Sequence, residues 1–161
     1  AARPAAPTGA VVDGKEVVTY RGKNVMNTIG QHTWNVAGTY KGTRVENVAV
    51  CTACHKDLAT FNRPAFGDYD GNGKVQGIQD EVDGLLKLLA AQLPKDAAGA
   101  ILSSTITATN TTELQRQALW NYAVIAKDGS KGVHNAAFSV QVLQRTYKQL
   151  TGKDVPGATI R

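Results

Sequence analysis

Only two cysteines and one methionine occur among the 161 residues. A disulfide framework is therefore not what holds the chain together, and 161 residues are enough to bury a core without one. There is no second cysteine pair, so a structural zinc site with four ligands has no residues to form it. No run of about 18 apolar residues is present, and nothing in the sequence spans a bilayer as a helix. Basic residues outnumber acidic ones 18 to 13, a formal charge of +5, but they are scattered. A nucleic-acid partner usually needs a concentrated basic face, so this distribution argues against one.

The first residue is not Met, and Ala1-Ala2-Arg3-Pro4-Ala5-Ala6-Pro7 has the small residues that follow a removed export signal. The expectation is a mature protein exported to the periplasm or the exterior, the alternative being a piece of a longer chain. Residues 1–10, rich in Ala and Pro, are expected to form a loose arm, and residues 11–161 a single domain.

The residues from 11 to 50 alternate like strands. Val11-Val12 and Glu16-Val17-Val18-Thr19-Tyr20 flank Asp13-Gly14, a pair that tolerates positive φ, and predict a first hairpin. Residues 33–40 and 43–50 flank Lys41-Gly42 and predict a second, whose two-residue loop would set His32 opposite Cys51. Beyond the cysteines the period changes to that of amphipathic helices. One is predicted over 79–93, with Val82, Leu85, Leu86, Leu89 and Leu93 on one side and Pro94 as its stop. A second starts near Thr111-Thr112-Glu113 and carries Leu114, Ala118, Leu119, Tyr122 and Ile125. A third covers 135–150, with Phe138, Val142, Leu143, Tyr147 and Leu150, and ends at Gly152. The expected fold is mainly α, three amphipathic helices preceded by a β-hairpin region, with the helical stripes buried together or against a cofactor.

Both cysteines fall in Cys51-Thr52-Ala53-Cys54-His55, the C-x-x-C-H sequence of covalent haem attachment. Two thiols three positions apart on a helical turn can each form a thioether with a porphyrin vinyl group, and the next residue's imidazole then lies under the iron. A thioredoxin-like dithiol would need no adjacent histidine and would sit in a βαβ pattern, which is missing here. The motif predicts a small c-type haem domain with one haem c, His55 being the proximal iron ligand.

The opposite face of an electron-transfer haem is usually filled as well, and Met there raises the potential relative to His. The candidates are His32, His134 and Met26, since no other His or Met exists outside the motif. His32 lies in Gly30-Gln31-His32-Thr33-Trp34, and His134 in the glycine-rich turn Asp128-Gly129-Ser130-Lys131-Gly132-Val133-His134-Asn135 that leads into the third helix. Met26 has no feature that separates it from core filler. Bis-histidine ligation is expected, by His32 or His134.

Asp68-Tyr69-Asp70-Gly71-Asn72-Gly73-Lys74-Val75 follows the first half of an EF-hand calcium loop: side-chain oxygens at positions one, three and five, Gly at six, and the Lys74 carbonyl at seven. It departs at position twelve, where Gln79 stands in place of a bidentate Glu, so a full Ca2+ shell would need Glu81 or Asp80 to reach back. The other reading is a tight Asp/Asn/Gly turn that caps the helix.

The haem motif, the Asp-Tyr-Asp-Gly-Asn-Gly loop with its Asp-Glu-Val-x-Gly-Leu-Leu helix, Trp120-Asn121-Tyr122, and the Asp128 to Asn135 turn together resemble the C-terminal haem domain of multihaem cytochromes c. The likeness covers residues 31–150. The chain is also distantly similar to the end of pentahaem nitrite reductases, whose last helices carry a haem-ligating histidine in a comparable Gly-x-His setting, here His134. An upstream ligand histidine of that family has His32 as its nearest match. The resemblance implies that a surplus histidine serves a second haem, on another chain if need be. It implies no nitrite reduction, because a lysine replaces the motif histidine at that active-site haem, and here the residue is His55.

Electron transfer, alone or as a unit of a larger haem assembly, is the first expected function, because two histidines leave the iron no open position. The partners would be redox proteins, acidic or multihaem, or further copies of the chain joined by a haem-sharing histidine. A haem enzyme or gas sensor with an open distal site, and a structural subunit of a cytochrome complex or filament, are the alternatives.

Overall fold

The computed structural model describes Ala10–Val12, Lys15–Val17 and residues 36–161. His32, Met26, Trp34 and the far end of the first hairpin at Tyr20 lie outside the described residues. The chain divides into two compact units, Ala1–Phe61 and Asn62–Arg161.

In the first unit, β1 (Ala10–Val12) pairs antiparallel with β2 (Lys15–Val17), with Val12 opposite Lys15. This is the register a two-residue loop at 13–14 demands. β3 (Ala37–Tyr40) pairs with β4 (Thr43–Glu46), and Tyr40 faces Thr43 across Lys41 and Gly42, at φ of 47° and 78°. Positive φ at both central residues matches the right-handed twist of the strands, so the loop is as predicted.

The predicted continuation to residue 50 is corrected. The ladder ends where Asn47 donates its N–H to the Val36 carbonyl at 2.7 Å, and Val48–Val50 then turns into a 3-10 helix. Its i to i+3 bonds, donated by the amides of Cys51 and Thr52, take the Val48 and Ala49 carbonyls that a strand would offer its neighbour. The ladder therefore does not carry the Ala37–Glu46 register on to Cys51, and strand pairing gives no support for setting His32 opposite that cysteine.

In the second unit, α1 (Ile78–Gln92) and α3 (Ala136–Thr151) each lie within a residue or so of the predicted spans, and α2 (Glu113–Asp128) starts where predicted. The end signals explain this agreement. Thr112 and Gln115 form a reciprocal capping box at the start of α2, and Gly129, at φ 70°, ends it in the left-handed conformation. Asn135 accepts from the Phe138 N–H to open α3, and Gly152 closes it. Leu93 is extended ahead of Pro94, as the residue before a proline prefers, and this stops α1.

α1 and α2 both pack on α3. Val82, Leu85, Leu89, Leu119, Ile125, Val140 and Leu143 form the centre of the core, joined by Tyr69 from the loop before α1 and Val155 after α3. Leu114 and Phe138, predicted in the buried stripes, are exposed instead, at 37% and 50%. Both lie in the first turn of their helices. Leu89→Ala is expected to cost about 2–5 kcal/mol, by lost burial and a cavity, whereas Leu114→Ala should cost under about 0.5 kcal/mol. Denaturant unfolding of the two variants checks this. Among the described residues, no helix is long and apolar enough to cross a membrane.

Candidate functional site

Residues 51–55 follow the 3-10 helix directly. His55 donates its amide to the Cys51 carbonyl at 2.9 Å and Cys54 donates to the same oxygen at 3.2 Å, so residues 51–55 form one helical turn. Both thiols are free; Cys51 is half-buried, and Cys54 and His55 are exposed. Two unpaired thiols and an imidazole on one exposed turn fit the requirements of a thioether-bound haem. A dithiol already closed as a disulfide would not.

Glu46, at the end of β4, closes this loop. Its Oε2 accepts from the Thr60 hydroxyl at 2.7 Å and the Phe61 amide at 2.9 Å, and its Oε1 accepts from Arg44 Nε at 2.9 Å. Burial pushes the Glu46 carboxyl up, but the Thr60, Phe61 and Arg44 donors outweigh it and hold the group below its usual value. The segment that carries Cys51, Cys54 and His55 is thus held at both ends by one carboxylate.

The calcium-like loop belongs to the second unit. The carboxylates of Asp68, Asp70 and Glu81 converge, each offering an oxygen within 4.8 Å of the others, and could hold a metal ion. Glu81 is completely buried and acts as a hub: Oε2 accepts from the amides of Tyr69 (2.7 Å) and Asp70 (3.2 Å), and Oε1 from that of Gln76 (2.8 Å). Asp68 accepts from the amides of Gly71, Asn72 and Gly73. Gly84 sits inside α1 because the Asp70 carboxylate occupies the space its Cβ would need.

Of the two residues able to replace a position-twelve glutamate, Glu81 is the one brought to the cluster. Asp80 instead accepts from Asn62 Nδ2 at 2.7 Å. Gln79 points elsewhere, its Nε2 donating to the Ser130 carbonyl at 2.9 Å. The Asn72 side chain is turned into its own loop, donating to Asp70 at 3.0 Å and accepting from the Lys74 amide at 2.9 Å. Burial, and then the charge of Glu81, raise the Asp70 carboxyl, although the Asn72 amide opposes them. Burial also acts to raise Asp68, but the amides of Gly73 and Gly71 prevail and lower it.

His134 stands on the turn between α2 and α3, exposed, with Nδ1 2.8 Å from Asp128 Oδ1. Asp128 also accepts from the Ser130 hydroxyl and, at 3.2 Å, from the Ser130 amide. Hydrogen bonding from Ser130 is the main cause that lowers the Asp128 carboxyl, with His134 adding to it against burial. Composition and spacing did not single out Asp128 and Ser130 as partners of His134. The only signal is an Asp and a Ser upstream of a histidine in a glycine-rich turn. No protein-family model, curated protein or solved structure matches the chain.

Proposed function

We propose that the protein transfers electrons through one covalently bound haem c, alone or as a unit of a larger haem assembly. Cys51 and Cys54 would bind it by adding each S–H across a vinyl double bond, sulfur joining one carbon and hydrogen the other, with no net oxidation. His55 would be the proximal ligand, and a second histidine, His32 or His134, would fill the other face. When bound, the haem supplies a one-electron couple. The observation that carries the reading is the single helical turn that presents two free thiols and the His55 imidazole together.

Two histidines saturate the iron, so the outer-sphere role follows from the ligand set and no residue of the chain need act as acid or base. The reduced protein is expected to show a six-coordinate low-spin spectrum and to bind CO only slowly and weakly. Fast, tight CO binding to the native protein would mean an open distal position and an enzyme or gas sensor instead.

Asp68, Asp70 and Glu81 belong to the same proposal as a structural Ca2+ site, supported by the convergence of three carboxylates and by the upward push of Glu81 on Asp70. Calcium at 100 times its dissociation constant would stabilise the second unit by about 2.7 kcal/mol. Because the Asp70 value is raised, the metal-free fold favours its protonated form, and that contribution is lost as pH rises above 3.8 through the raised value. A bound cation reverses the preference. A thermal melt is expected to rise with calcium at neutral pH and to stop responding as acid protonates Asp70. Identical melts in calcium and in chelator would leave a loop held by its amides alone.

A further inference from the structure

An exposed histidine normally samples many orientations and both neutral tautomers. His134 is held differently. A carboxylate can only accept a hydrogen bond, so the 2.8 Å contact of Nδ1 with Asp128 Oδ1 places a proton on Nδ1, and in the neutral ring this leaves the lone pair on Nε2. That is the arrangement in which a ligating imidazole donates its other N–H to a carboxylate, which fixes the tautomer and raises the basicity of the ligating nitrogen.

The turn that brings the two side chains together, six residues apart, is itself anchored. Gly129, Lys131 and Gly132 all have positive φ. The Ser130 carbonyl is tied to Gln79 at 2.9 Å, and Lys131 Nζ is 2.7 Å from Asp83 Oδ1, both on α1. A Cβ on Gly132 would press on Val82. The side chain of His134 nevertheless remains 71% exposed. A histidine whose ring is oriented on one side and open to solvent on the other is prepared for a ligand at Nε2.

We infer that Asp128 is the positioning residue of His134, taking its Nδ1–H and holding Nε2 ready for a haem iron, with Ser130 fixing Asp128 in turn. This rests on the proposed haem reading and adds to it which side chain sets the imidazole's tautomer and donor strength. A neutral amide in place of Asp128 could keep its oxygen on the Ser130 N–H and offer an N–H to Nδ1. The proton would then move to Nε2, the atom that should bind iron.

The test compares wild type, Asp128→Asn, Ser130→Ala and His134→Ala as holoproteins, at low and high protein concentration, so that an iron held by the same chain or by a second copy is read alike. The readouts are ferric magnetic resonance, competition of the sixth ligand by cyanide, and the 15N shifts of the His134 ring. Asp128→Asn is expected to weaken the hold of His134 on iron about 10- to 100-fold, to shift the low-spin signal and to move the ring proton to Nε2. Ser130→Ala should change the same readouts in the same direction by less, and far-UV dichroism should show all variants folded. A wild-type low-spin haem whose signal, competition and ring shifts are unchanged in Asp128→Asn overturns the positioning role alone. A low-spin signal untouched by His134→Ala overturns it too, by removing His134 from the iron. Wild type with no covalent haem overturns the electron-carrier reading itself.

Discussion

A chain with Cys51→Ala and Cys54→Ala is expected to hold no haem after denaturation, a complete loss. A thioether needs a thiol, and these are the only two cysteines in the sequence. Both are free, and no described disulfide competes for them. A single replacement should leave one thioether and a haem still bound, with an altered absorption band because one vinyl group survives. His55→Ala should separate attachment from ligation: both thiols remain on the turn, but the iron loses the ligand on that face and the low-spin spectrum goes with it. Haem staining of denaturing gels, with intact mass, reads all of these. Haem that stays on the denatured double variant would show that the attachment lies elsewhere.

Glu81→Ala is expected to cost the second unit about 3–5 kcal/mol, a large share of the roughly 5–15 kcal/mol that holds an ordinary domain together. The cause is local. Three backbone amides, of Tyr69, Asp70 and Gln76, end on this one buried carboxylate and would lose their acceptor, Tyr69 in a buried position and the other two in half-buried ones. Each stranded donor costs its desolvation, about 1–3 kcal/mol, before relaxation. Tyr69 is itself part of the core, so its displacement would also loosen packing around α1. Asp80→Ala, one residue away in the same first helical turn, removes an exposed acid with a single side-chain partner, Asn62, and should cost no more than about 1 kcal/mol. Denaturant unfolding of the pair, in calcium and in chelator, distinguishes a buried hub from a general preference for acids at a helix start. Equal costs for the two variants would contradict the hub.

The helices are legible in the sequence where two independent signals coincide: an apolar stripe of helical period, and a residue such as Thr112, Pro94 or Gly152 whose chemistry starts or stops the hydrogen-bond ladder. The β3–β4 loop was equally plain from Lys41-Gly42. Val48-Ala49-Val50 alternates like a strand yet turns into a 3-10 helix, because alternation describes which side chains share a face, not whether a partner strand is present, and the ladder closes at Asn47. Leu114 and Phe138 match the stripe by spacing, yet stand exposed in the first turn of their helices, because period alone does not say which stripe positions a neighbour covers.

At the sites, the cysteine motif is contiguous and therefore legible, as are the first positions of the Asp68 loop. Glu81 and Asp80 were indistinguishable by count; what separates them is the direction each side chain leaves the first turn of α1, which only the packed loop defines. The Asp128–His134 pair spans a turn with three residues at positive φ, a conformation that has no period to read.

Redox titration of the purified holoprotein, followed by intact mass of the same sample after denaturation, decides whether the chain carries one covalent, redox-active haem. One reversible one-electron wave, low-spin absorption in both oxidation states, and a denatured chain heavier than its sequence by one haem are expected. A denatured chain at its sequence mass, with both thiols free to alkylate and no wave, would contradict it.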